Sequence, residues 1–91
     1  MKRRLSVRAP RIPWFDAEQV LEAAVAKHLK ALPPGVALDL TLVAHVRHQY
    51  TDYDRHLAHG LDRDAARYLV REDIEDKLRT WGAVMTLSDE D

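Results

Sequence analysis

In Ala66-Arg67-Tyr68-Leu69-Val70-Arg71-Glu72-Asp73-Ile74-Glu75-Asp76-Lys77-Leu78-Arg79-Thr80-Trp81, the apolar residues Ala66, Val70, Ile74, Leu78 and Trp81 recur at intervals of four, four, four and three. A strand would need alternation at every second position, whereas this spacing lines one face of an α-helix. Asp62 is placed to cap its start and Gly82 to end it. Asp73 with Lys77 and Glu75 with Arg79 are expected to add i,i+4 support. The acids after Arg71 would also suit a helix start, so a break near Arg71-Glu72 stays open.

Upstream, the pattern stays helical. Gly60 fits the left-handed position after a short helix over 52–59, opened by Thr51 with Asp54 as its capping-box partner. From Ala37 to Tyr50, Leu38, Leu42 and Val46 fall four apart. Pro33-Pro34-Gly35 reads as the turn ending an earlier helix. That helix has Asp16 as its N-cap, Gln19 as capping-box partner, and an apolar stripe of Leu21, Val25, His28, Leu29 and Leu32. The stripe places His28 in the core, and Trp14-Phe15 reads as the first anchor. Residues 1–13 read as a basic arm, since Pro10 and Pro13 discourage helix. Ala83–Leu87 is apolar and β-prone, and is expected as an extended tail or as a short strand against Leu5–Arg8. Residues 88–91 form an acidic tail. The expectation is an all-α single domain, a bundle of three to five helices over 14–87, with a terminal strand pair as an option.

A chain of 91 residues suits one domain with a modest core. It has no cysteine, which excludes disulfides, thiolate zinc sites and cysteine nucleophiles and points to a reducing, cytoplasmic home. No apolar run reaches the length of a membrane span, and the h-region of a signal peptide is missing. Net charge is −1, unevenly spread: Lys2, Arg3, Arg4, Arg8 and Arg11 occur in the first eleven residues with no acid, and the remainder carries −6. Such asymmetry suits an electrostatic partner, or else a solvated arm and tail.

Chemistry concentrates in His45-Val46-Arg47-His48-Gln49-Tyr50-Thr51-Asp52-Tyr53-Asp54, with His56 and His59 just beyond. Helical spacing puts Thr41, His45 and His48 on one face and Arg47 in line with Leu40 and Val43. Arg47 is expected over a half-buried surface, stacked on an aromatic ring or paired with Asp52 or Asp54. Three readings compete. His45 and His48, at i,i+3, could meet one metal ion, although no HExxH pattern is present. The Arg, His and Tyr side chains could contact phosphates and stack on bases. Or the polar groups could satisfy one another and fix the helix angles. Arg63, Arg67 and Arg71 recur every four residues, as a phosphate-tracking stripe or a solvated face.

The same stretch resembles DUF2293, a family of uncharacterised bacterial and fungal domains. The resemblance rests on His45, Val46, Arg47 and His48 with Tyr50, Thr51, Tyr53 and Asp54, then Gly60, Ala66-Arg67, Val70-Arg71 and Trp81. It covers about residues 38–81. Relatives carry a proline near position 72, where this chain has Glu72, which leaves one helix or two over 62–81 open. The resemblance implies that the HVRH segment defines the family; it implies no activity.

The reading adopted is a small non-catalytic module that binds nucleic acid. Its contacts would be Lys2, Arg3, Arg4, Arg8, Arg11, Arg47, His48, Arg63, Arg67 and Arg71. The alternative is a protein-interaction or oligomerisation module. A metal-dependent enzyme built on His45 and His48 is third. No nucleophile elbow or Gly-rich phosphate loop occurs, and no cofactor or membrane partner is expected.

Overall fold

The computed structural model describes residues 1–85 and 87. Five α-helices, and no strand among the described residues, build an all-α domain: α1 (Lys2–Arg8), α2 (Trp14–Leu29), α3 (Pro34–Tyr50), α4 (Tyr53–Ala58) and α5 (Arg63–Thr80). α3 is the central element and packs most extensively on α2, then on α5.

The 66–81 stripe lies where its spacing put it. Ala66, Val70, Ile74, Leu78 and Trp81 are all buried. Asp62 caps α5, its Oδ1 accepting from the Ala65 N–H at 2.7 Å. α5 is unbroken through Arg71-Glu72. A carboxylate two turns from the N-terminus is tolerated as a solvated residue, so no new start is needed. The expected pairs along α5 differ: Arg79 bridges to Asp76 at 2.6 Å, Glu75 accepts from the Leu87 N–H, and Lys77 turns to aromatic rings. Gly82 adopts φ 84°, and a Cβ there would lie 2.9 Å from Pro10, so both backbone freedom and space require glycine.

Residues 1–13 are part of the fold and not an arm. α1 buries Leu5, Ala9 follows it fully buried, and the chain then runs against the end of α5. There the Arg11 N–H bonds the Trp81 carbonyl, and the Arg11 guanidinium donates to the carbonyls of Arg79 and Thr80. A cation that satisfies the last carbonyls of a helix is favourable by both hydrogen bonding and dipole. Pro10 and Pro13 stop helix only over 9–13. Since Leu5–Arg8 is helical, the strand pair is absent; Ala83–Met85 is irregular and the acidic tail lies outside the described residues.

α2 is rotated relative to expectation. Its N-cap is Pro13, not Asp16, and its buried face is Asp16, Val20 and Ala24. Val25, His28 and Leu29 are exposed, and the His28 Nδ1–H donates to the Leu32 carbonyl. Trp14 and Phe15 are 74 % and 69 % exposed and do not anchor the core. The physical reason is Asp16: its hydrogen bonds hold its own face inward, and small Ala24 on that face lets α3 come close. α3 starts three residues before Ala37, with Pro34 in its first turn, where a missing N–H costs nothing. The Thr51 hydroxyl then donates to the Arg47 carbonyl and accepts from the Tyr53 N–H, ending α3 and starting α4.

Candidate functional site

α3 divides the HVRH segment among three directions. Val46 joins Leu42 in the core, His45 faces α2, and Arg47 faces α5. His45 donates from Nε2 to Asp16 Oδ1 at 2.7 Å, and the Tyr50 hydroxyl donates to the same oxygen at 2.8 Å. Trp81 stands edge-on to Tyr50 with ring centres 5.6 Å apart, and Lys77 Nζ lies 4.2 Å over the Tyr50 ring. Burial pushes the Asp16 carboxyl up, but the bonds from His45 and Tyr50 and the charges of His45 and Lys77 outweigh it, so it is held below its ordinary value. The Tyr50 phenol is raised by its hydrogen bond to Asp16, then by burial and by that residue's charge. This cluster joins α2, α3 and α5 and keeps a carboxylate ionised inside the protein.

His48 lies outward. Its Nδ1 is 2.9 Å from Asp54 Oδ1, with both side chains solvent-accessible, and its ring meets Tyr53 edge-on. Arg47 is only 9 % exposed, and its guanidinium lies 5.4 Å from the Tyr53 ring centre, as the stacking expectation required. Asp52 pairs with Arg55. His45 and His48 are thus held by different carboxylates, and among the described residues no three His, Cys, Asp or Glu side chains are grouped to hold a metal ion.

Two concavities flank α3. One, of about 370 Å³ between α2 and α3, contains Thr41, His45 and His48 with Gln19, Lys27 and Gln49. The other, of about 530 Å³, is floored by Leu40, Val43 and Ala44 and walled by Lys27, Asp39, Arg47 and Arg67. Its carboxylate, Asp39, accepts from Arg8 Nε at 2.7 Å. The Arg67 Nε is buried with no hydrogen-bond partner.

Of the ten basic or histidine residues singled out in the sequence, Arg47 and Arg67 converge on this second groove. Arg63 and Arg71 stand one turn to either side of Arg67, and Arg71 lies over the Tyr68 ring at 5.3 Å. Lys2, Arg3 and Arg4 are exposed on α1. Arg8 and Arg11 are engaged within the fold, by Asp39 and by the end of α5. His48 belongs to the other concavity.

The DUF2293 family model, described as an uncharacterized conserved protein, matches residues 4–82. The chain belongs to the DUF2293 family. The match reaches well beyond 38–81 and takes in most of α1 and all of α2, in keeping with a DUF2293 fold in which these helices complete the core. No curated protein and no solved structure matches the chain.

Three residues of this DUF2293 domain's polar architecture were not singled out from sequence as site residues: Asp16, Lys27 and Lys77. Asp16 carried a signal of its own, an acid in the i,i+4 series with Val20 and Ala24, but a helix-cap role accounted for it equally well. Lys27 and Lys77 come to their sites from α2 and α5, and no local spacing announces that.

Proposed function

We propose that the domain binds nucleic acid through its phosphate backbone, along the groove between α3 and α5. The observation that carries this reading is the convergence of Lys27, Arg47 and Arg67, from three different helices, on one groove whose carboxylate is already engaged by Arg8. A polyanion lying along the groove would meet all three cationic side chains at once. Arg63 and Arg71 extend the row along α5 in both directions. Arg8 and Arg11 are held within the fold, by Asp39 and by the end of α5. Titration of isotope-labelled protein with a single-stranded oligonucleotide tests the reading. Amide shifts centred on Lys27, Val43, Arg47 and Arg67 are expected; shifts confined to the α1–α2 surface would overturn it.

A second reading, self-association, is favoured by one observation. Trp14 and Phe15 stand exposed beside Met1, Leu21 and Val25, and Lys2, Glu18 and Glu22 line the same surface. An apolar centre rimmed by both charges is self-complementary, as a two-fold contact requires. Light scattering across concentration should then show a mass that doubles, and Trp14→Ser should hold it at the monomer. A monomer at every concentration would remove this reading.

A further inference from the structure

We infer that the α2–α3 cleft is a binding site for a phosphate monoester, separate from the α3–α5 groove although the two share Lys27. Every polar side chain lining the cleft can donate a hydrogen bond: Gln19, Lys27, Thr41, His45, His48 and Gln49. No carboxylate is among them. A mixed lining would suit water or a neutral polar ligand; a lining of donors with one ammonium suits an oxyanion.

Two features point to an occupant. The Thr41 residue is 3 % exposed, and its hydroxyl has no hydrogen-bond partner within the protein. Buried hydroxyls are nearly always satisfied, and an acceptor in this cleft would satisfy it. The two histidines are also held in place from behind. Asp16 engages His45 at Nε2, and Asp54 engages His48 at Nδ1. Each ring is therefore fixed by a carboxylate at one nitrogen, and in its protonated form it has a second N–H to donate to an oxyanion. Ala23 and Ala44 carry only methyl groups where the cleft would otherwise be filled. At about 370 Å³ the cleft is at the small end for ligand sites, which suits a phosphate group with little attached to it.

A phosphate monoester reaches such a site either as a small phosphorylated molecule or as the 5′ end of a nucleic-acid strand. The test uses the full chain and reads the amides of Thr41, Ala44, His45 and His48 during titration with inorganic phosphate. Parallel arms use a nucleoside 5′-monophosphate and one oligonucleotide carrying either a 5′-phosphate or a 5′-hydroxyl. Saturable shifts are expected with inorganic phosphate, weakened about three- to tenfold in Thr41→Val, the worth of one hydrogen bond. Exposed Gln49→Ala should weaken them in the same sense and guards against a folding defect at Thr41. Preference for the 5′-phosphorylated strand over the mononucleotide assigns the strand end, and equal binding assigns the small molecule. Linear, unsaturated shifts, or binding unchanged in both variants, would overturn the site. Arg67→Gln separates the two proposals, since it should weaken strand binding in the groove and leave inorganic phosphate binding intact.

Discussion

Asp16 accepts two hydrogen bonds on one oxygen while buried among aromatic rings, so its loss should be felt more than that of any surface acid. Asp16→Asn is expected to destabilise the domain by about 1–3 kcal/mol at neutral pH, the range for buried hydrogen bonds to a charged group; urea unfolding measures it. The pH dependence follows from the direction of the shift. Because the folded carboxyl titrates lower than in the unfolded chain, its contribution is fully present above about pH 4 and is lost as pH falls through the folded value. The stability gap between wild type and Asp16→Asn should therefore close in acid, and a gap that stays constant there would contradict the assignment. Tyr50 acts in the opposite sense: its raised phenol stabilises below about pH 10 and less as pH climbs through the folded value. At this scale the sequence offered an aromatic ring or an acid as the partner of Arg47, and the ring is Tyr53. It could not show the partner of His45, which lies 29 positions away and comes into contact only through packing.

Elements were legible in proportion to the regularity of their apolar spacing. The buried face, cap and terminal glycine of α5 were readable because its stripe coincides with that face, whereas the acids after Arg71 left open a break that the unbroken helix does not contain. α2 was not, because polar Asp16 sits on the inner face and Val25 and Leu29 on the outer, so hydrophobicity pointed the wrong way round the helix. α1 was hidden by its charges: one buried leucine among four basic residues gives no periodic signal. The end of α2 has a feature that composition conceals, since Ala31 adopts φ 80°, a conformation glycine takes more readily. Ala31→Gly is therefore expected to raise stability by about 0.5–1 kcal/mol, the relief of left-handed strain less the added freedom of the unfolded chain. A lowered melting temperature would count against that backbone geometry.

For the whole molecule, charge asymmetry was visible in the sequence, but its meaning changed on folding. Two of the five basic residues in the first eleven are engaged by the protein itself, and the surface that gathers cations lies between helices far apart in the chain. Deleting residues 1–11 removes Leu5 and Ala9 from the core and Arg11 from the end of α5, so it should cost at least about 2 kcal/mol of stability. A truncated chain that melts with the wild type would show that α1 is dispensable. Loss of binding on that truncation would say little about phosphate contacts, and substitution within the groove is the cleaner approach.

The decisive quantity is the slope of log binding constant against log salt for a single-stranded oligonucleotide, for wild type and for Lys27→Gln/Arg67→Gln. Contacts from Lys27, Arg47 and Arg67 at about 0.7 each give a slope of about −2 or steeper where Arg63 and Arg71 also engage, and the double variant makes it shallower by about 1.4. A slope near zero, or one that the double variant leaves unchanged, would contradict backbone binding in the α3–α5 groove.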